Sequence, residues 1–583
     1  MKFSLFTTQI TKSCYKENNK LFLGKWCLVS EADLSKLGDY KTALYHWDDF
    51  EKINKDYKYL YNFYYQILDI LSKELNKIHK RDKDQRYWHI VIGTWLYRFL
   101  ISSYDKWESL RLVFQNYDIS KIFYYETHYL DLIHSDCTEF DKSLYDNTSE
   151  LWNNFLYTEI AKFQKKNLNY EKIDYKISTS KKNYVLNKFY KQSNFFYHLF
   201  DRFLSLIPIK PEIVLYKTYF KKITNLKIFL KNKTIPRIYT DFEKRIKLPS
   251  PQSRDKLYLE FNTKNNFEEF IKKNIFKFMP VSYIEGFQEI DNYCKNIKLN
   301  PKFTISAVGD RNDSFAIWIA NNIDKFKYFC SEHGGSLEDT EHFDARNKKA
   351  DCFLSWNFSE KKNVHQITPQ FYTKKIKQNL LRKGKKLSII MTSPSSIYSY
   401  HLNYDLKGMQ AFDVYNQMKS LKKLSSKIKD NLRFRLHPNN FIWHMDKRIL
   451  KDFGENFIFK NKKLDDVFME SKILINLDFQ TSFYQSMFSG KPVIIFTNRK
   501  FTNTFNPKIK KLFKSFEESK IIITKISDLI LHIENIWSDP YKWWDSNEIK
   551  NLREKFNSLC SKKPNNDFVN EIIKLKKEYE KIN

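Results

Sequence analysis

The chain has 583 residues, more than one ordinary domain holds, so two or three domains are expected. Its 42% hydrophobic and 17% aromatic content suits packed cores and excludes wholesale disorder, and no stretch approaches the roughly 18 uninterrupted apolar residues of a membrane-spanning helix. The formal net charge of +32 fits either lysine-rich solvated faces or peripheral attraction to an anionic membrane surface; no nucleic-acid motif accompanies it, so no nucleic-acid partner is expected.

The opening MKFSLFTTQITKSC lacks the apolar core and small-residue cleavage site of a secretory signal. FSLFTT (3–8) and LFLGKWCL (21–28) read as extended segments. From 51 to 115 aromatic and aliphatic residues recur at three- and four-residue spacing, which predicts a helical hairpin. Its stripe of Tyr87, Trp88, Trp95, Tyr97 and Trp107 reads as core packing, with sugar stacking as the alternative. KIFYYETHYL (121–130) reads as a strand and 147–165 as a helix. The Lys-, Tyr- and Phe-rich stretch 166–260 holds one clear strand, Glu212 to Tyr216, with Lys222, Lys227 and Lys231 beyond it on a solvated face. FEEFIKKNIFKFMPVSYIEGFQEIDNYCKNI (267–297) is helical with a break at Pro280. PKFTISAVGD, FAIWIANNID and KYFCSEHGG then give strand, helix and strand, a βαβ unit. A basic segment (373–386) precedes a second series of apolar runs: LSIIMT, LRFRLH, NFIF, ILINL, VIIF and KIIIT. The expected plan is α/β: two Rossmann-like domains, 1–375 with helical insertions and 376–583 with a helical tail that packs back on the first. Seven scattered cysteines with no CxxC pair point to reduced thiols in a cytoplasmic protein.

ILINLDFQTSFYQSMFSGKPVIIF (473–496) is the most informative stretch. A buried strand enters the turn Asp478-Phe479-Gln480-Thr481-Ser482, a helix follows, Gly490 stops it, and a second strand begins after Lys491-Pro492. The turn places two hydroxyls where a helix N-terminus offers unpaired N–H groups and partial positive charge, a setting that suits phosphate. Arg435 and His437, closing the strand before Pro438, add donors for the same anion. Ser393, Ser395 and Ser396 in MTSPSS are further hydroxyl donors or ordinary turn residues. His333, flanked by Gly334 and Gly335, sits where a general base could reach substrate, with an unperturbed histidine pKa of about 6.5; Glu332, Glu338 and Glu341 compete for that role, Glu338 ranked second. Asp82-Lys83-Asp84 makes a poor metal motif, and no metal or cofactor is expected. No G-x-G-x-x-G occurs, which disfavours a nicotinamide or flavin enzyme.

These pieces together resemble a family of transferases found in O-antigen and surface-polysaccharide biosynthesis loci. The resemblance is carried by LFLGKWC (21–27), YHWDD (45–49), RYWHIVIGTWL (86–96), Pro280-x-x-Tyr283-x-Glu285, PKFTISAVGDRNDSFAIWIA (301–320), EHGG (332–335), RLHP (435–438) and TSFYQSMFSGKPVI (481–494). More distantly, the His-Gly loop, R-x-H-P and Thr-Ser turn are similar to those of polyglycerol-phosphate polymerases and of capsule Kdo- and sialyl-type GT-B transferases. Three positions depart from the family: Glu332 replaces a usual Gln, Ser336-Leu337-Glu338 replaces a longer Gly/Tyr-rich loop, and Gln485 replaces an acidic residue that holds a nucleotide ribose.

The resemblance implies a metal-independent, inverting GT-B glycosyltransferase at the cytoplasmic membrane face. Its donor would be a CMP- or CDP-linked nucleotide sugar and its acceptor a glycan or lipid-linked saccharide. A CDP-alcohol phosphotransferase of a surface polymer fits the same motifs. The departures at Glu332 and Gln485 motivate a third reading, a catalytically weakened scaffold of a polysaccharide assembly complex.

Overall fold

The computed structural model describes residues 1–28, 36–145, 150–165, 167–173, 183–188, 195–206, 211–334, 349–369, 382–391, 408–437, 443–497, 507–560 and 568–581. Three five-stranded sheets organise them. The first contains β1 (Lys2–Phe6), β2 (Lys20–Phe22), β3 (Tyr40–Thr42), β4 (Asp118–Tyr124) and β5 (Asn169–Lys172) in the order β3-β2-β1-β4-β5, every neighbour parallel. A short antiparallel ladder joins β6 (Val185–Leu186) to β8 (Ile246–Lys247). The second sheet runs β12-β11-β10-β9-β7 from β7 (Ile213–Leu215), β9 (Phe303–Ser306), β10 (Lys327–Ser331), β11 (Cys352–Ser355) and β12 (Val364–Gln366), again wholly parallel. The third, β14-β13-β15-β16-β17, is built from β13 (Lys386–Ile390), β14 (Leu432–Arg435), β15 (Ser471–Asn476), β16 (Val493–Phe496) and β17 (Ile522–Ile523), also parallel.

The α/β class and the parallel sheets agree with the sequence reading, but residues 1–375, expected to carry one sheet, carry two. The strand at Glu212 to Tyr216 is the edge of the second sheet rather than an insertion in the first. NFIF is not a strand: a short 3-10 turn, Glu455–Phe457, gives way to a single bridge from Ile458 to Phe434.

The predicted hairpin consists of helices Phe50–His79 and Gln85–Asn116. Asp49 caps the first by accepting from the N–H groups of Glu51 and Lys52, Lys80 ends it in the left-handed conformation (φ 51°), and Asp84 caps the second through Tyr87 N–H. The second helix is buried along most of its length because it packs against its partner, helix Glu150–Gln164 and helix Asp313–Asn322 of the second sheet. Trp88 and Trp95 are fully buried, and the Trp95 and Phe99 rings stack at 5.2 Å. The aromatic stripe is therefore core, wedged between two sheets. Across the same boundary Lys349 Nζ donates to Thr94 Oγ1 (2.8 Å) and Asp310 Oδ2 (2.9 Å).

The third sheet's domain is tied to both others. Lys25 pairs with Asp413 at 2.5 Å, and Phe358 N–H donates to the Leu559 carbonyl (2.8 Å). The last helix, Phe568–Lys581, crosses back as expected: Lys576 Nζ donates to Glu212 Oε2 and Asn232 Oδ1, each at 2.8 Å, and Tyr579 packs edge-on to Phe329. Among the described residues no helix is long and apolar enough to cross a membrane.

Asp136 and Asp313 form a buried acidic pair beside this core, 3% and 1% exposed. Burial, with their like charges for Asp136, pushes both carboxyls well above the ordinary aspartate range. The folded state thus holds protons that the unfolded chain releases above about pH 4, so this pair's contribution to stability falls as pH rises toward neutrality. Asp136→Asn should cost less stability at about pH 8 than at about pH 5, the gap being roughly 1–2 kcal/mol in denaturant midpoints. Equal costs at both pH values would contradict the shared-burial account.

Candidate functional site

Ligands of open parallel sheets settle beyond the carboxyl ends of the strands, where the strand order reverses. The first sheet reverses between β1 and β4, but its own side chains fill that crevice. Thr7 and Thr8 are 1% and 3% exposed, Trp26 Nε1 donates to the Thr7 carbonyl (3.0 Å), and Asn154 Nδ2 bridges Thr7 Oγ1 and the Phe123 carbonyl. The third sheet reverses between β13 and β15. Ile390 pairs in register with Arg435 on one side and Asn476 on the other, so β14, β13 and β15 end level. The residues that follow, Leu436-His437 and Leu477-Asp478, leave at the same edge.

Beyond β15 the chain makes a tight turn that Asp478 holds by accepting Gln480 N–H (3.2 Å). Phe479 anchors the turn from below, stacked on Phe513 at 4.9 Å and edge-on to Phe483. Helix Thr481–Ser489 starts here, with no side-chain cap from Gln480. Phe483 N–H already donates to the Gln480 carbonyl, so Thr481 and Ser482 present the leading N–H groups and their hydroxyls at the positive end of the helix. Both are half-buried, as is Gln485, one turn further along the same face. Gly490 closes the helix at φ 81°, a conformation that needs glycine. Lys491 serves the scaffold: its buried ammonium donates to the Ser471 carbonyl (2.8 Å), and burial lowers its pKa to about 8.

Arg435 is half-buried and donates to the Leu436 carbonyl (2.8 Å). Among the described residues it has no ion-pair partner, and burial alone lowers its pKa. A cation taken from water without a carboxylate favours an incoming anion. His437 is half-buried beside it.

The His-Gly loop reaches this turn from the other domain. A Cβ built on Gly334 would lie 2.5 Å from Thr481 Oγ1, so the loop backbone rests directly against the Thr481 side chain. His333, its neighbour, is exposed and packs edge-on against Tyr219 at 5.6 Å. Tyr219 was not singled out in the sequence. It follows β7 in a loop where Lys217 and Tyr219 both hold left-handed backbone, φ 48° and 60°, with no glycine to announce the turn. Glu332, a rival for the base, is otherwise occupied: its Oε2 accepts Trp356 N–H at 2.6 Å. Behind the contact Tyr484 donates to Asn357 Oδ1 (2.7 Å), and its ring meets Trp356 at 5.7 Å, which fixes the helix against the end of β11. Gly335, Glu338, Glu341, Ser393, Ser395 and Ser396 lie outside the described residues. Among the described residues no group of three or more His, Cys, Asp or Glu is placed to hold a metal ion.

Over residues 3–572 the chain matches the family model described as LIC12162 family transferase. No curated protein matches it. Among solved structures it is similar to a glycosyltransferase from Rickettsia africae ESF-5, which aligns over 63% of this chain and 98% of its own at 13% identity and a TM-score of 0.33, too slight a likeness to argue for a shared activity.

The contact between Gly334 and Thr481 has a direct consequence. Gly334→Ala should destabilise the protein by roughly 1–3 kcal/mol through overpacking, and Thr481→Ala should recover most of that loss by removing the opposing oxygen. Denaturant midpoints of the two single variants and the double variant measure the coupling; strictly additive effects would mean the loop and turn do not touch.

Proposed function

The chain belongs to the LIC12162 family of transferases, and on that premise we propose that it is a metal-independent, inverting glycosyltransferase of GT-B plan with a nucleotide-sugar donor. The observation that carries this reading is the half-buried Arg435 without an ion-pair partner among the described residues, on the same sheet edge as the uncapped helix start at Thr481 and Ser482. N–H groups, hydroxyls and a guanidinium at one crevice match a diphosphate or monophosphate. The resemblance to Kdo- and sialyl-type transferases favours a CMP- or CDP-linked donor, and Gln485 would meet the ribose as a neutral hydrogen-bonding partner.

In this reading the acceptor, a glycan or lipid-linked saccharide, enters on the His333 side. His333 takes the proton of the attacking hydroxyl, whose oxygen forms the new bond to the anomeric carbon from the face opposite the phosphate. The anomeric carbon–phosphate oxygen bond breaks, and its electron pair leaves on the nucleotide phosphate. Arg435, His437, Thr481 and Ser482 stabilise that charge as it develops. Gly334 lets the base loop come close to the donor turn without a side chain between them. Glu332 accepts Trp356 N–H, a contact that a Gln at this position could also make.

Calorimetric titration with CMP and CDP tests the donor site. Arg435→Ala and Thr481→Ala should each weaken binding by about tenfold or more, the worth of a hydrogen bond to a charged group. His333→Ala should leave nucleotide affinity nearly unchanged and lower turnover by about 10²–10⁴-fold. Wild-type protein that binds no nucleotide would overturn the reading, and full turnover in His333→Ala would remove the base assignment.

A further inference from the structure

Helix Phe195–Ser205 turns its apolar side to solvent. Phe196, Leu199, Phe200 and Phe203, with Leu206 just beyond, are 56–76% exposed, and the spacing of the first four makes one continuous stripe. The other side carries Asp201, only 1% exposed. Its carboxylate accepts the N–H groups of Ile238 (3.0 Å), Tyr239 (3.3 Å) and Thr240 (2.9 Å) and pairs with Arg237. The buried carboxylate of Asp201 holds the helix with this stripe outward. A cluster of large apolar side chains held outward marks a face that something covers.

Charge identifies the cover. Beside Leu199 a cavity of about 840 Å³ is lined by Arg202, Lys244, Arg245 and Lys298. Its acidic lining residues Asp201, Asp241 and Glu243 are already engaged, the first two by Arg237 and the third by Lys217. An apolar stripe thus adjoins a local excess of positive charge on a chain of net charge +32. Helix Lys222–Lys231 repeats the composition: Ile223, Leu226 and Leu230 are exposed between exposed lysines.

We propose that helix Phe195–Ser205 seats this protein on an anionic lipid bilayer, its apolar stripe entering the headgroup–acyl boundary while Lys244 and Arg245 meet lipid phosphates. A symmetric contact with a second copy would instead set this basic cluster against itself. The membrane contact stands apart from the donor site, since vesicle binding needs no catalysis and its failure leaves the donor-site reading intact.

Vesicle flotation with the full chain tests it. Wild type should float with phosphatidylcholine vesicles doped with phosphatidylglycerol, float far less with phosphatidylcholine alone, and lose binding as salt is raised. Phe200→Ser/Phe203→Ser changes exposed side chains only, so it should keep the wild-type melting temperature and bind about tenfold more weakly or worse. Lys244→Glu/Arg245→Glu should lose the preference for anionic vesicles. Wild type that ignores both vesicle types, or a Phe200→Ser/Phe203→Ser variant that floats like wild type, would overturn the proposal. So would a concentration-dependent dimer in sedimentation that this variant abolishes while vesicle binding is absent, because the face would then belong to a second copy.

Discussion

The His333-Gly334 loop lies directly against the Thr481 side chain, at a position where Gly334 carries no side chain of its own. A β-carbon there would fall 2.5 Å from the threonine hydroxyl, well inside contact distance, so the Thr481 side chain would have to turn or the loop shift. Through this approach a loop at the carboxyl end of β10 meets a helix start at the carboxyl end of β15. The exposed imidazole thereby stands one residue from the groups that could hold an anion. The proposed division of labour, base from one domain and phosphate grip from the other, depends on that proximity.

Surrounding contacts use ordinary means to hold it. Asp478 fixes the turn, Phe479 stacks beneath it, and Tyr484 ties the helix to Asn357 and Trp356 across the domain boundary. Glu332 spends its carboxylate on the Trp356 N–H, leaving the exposed His333 as the ionisable group at the tip of the described loop. The contrast with the first sheet is instructive. There the strand order also reverses, yet Trp26 and Asn154 occupy the space where a ligand would sit. The same topology therefore yields a filled core at the first sheet and, at the third, half-buried polar residues on the strand ends.

The third sheet was legible because most of its strands are short, largely apolar runs with helical segments between them. The turn at Thr481 and Ser482 was legible as local structure because a strand, a polar turn, a helix start and a terminating glycine fall in one short stretch. The first sheet was harder. Its β2 and β3 have three residues each, too few for a period-two pattern, and 30- and 32-residue helices separate them from β4. The strand at Ile213–Leu215 was visible, but nothing local reveals that its partner is Phe303–Ser306 across a long intervening segment. NFIF has a strand's composition, yet it only bridges to the outer strand at Phe434. Tyr219 could not be foreseen beside His333, because its loop turns on left-handed lysine and tyrosine rather than on glycine. The outward apolar stripe of helix Phe195–Ser205 was equally hidden: periodicity shows that two faces differ, while the partners of Asp201 decide which one turns inward.

A crystal structure with CDP bound addresses the central claim most directly. The account predicts phosphate density between the Thr481 and Ser482 N–H groups and the Arg435 guanidinium, at the carboxyl edge of the third sheet. A nucleotide seated elsewhere, with Arg435 and Thr481 unchanged and out of reach of its phosphates, would contradict it.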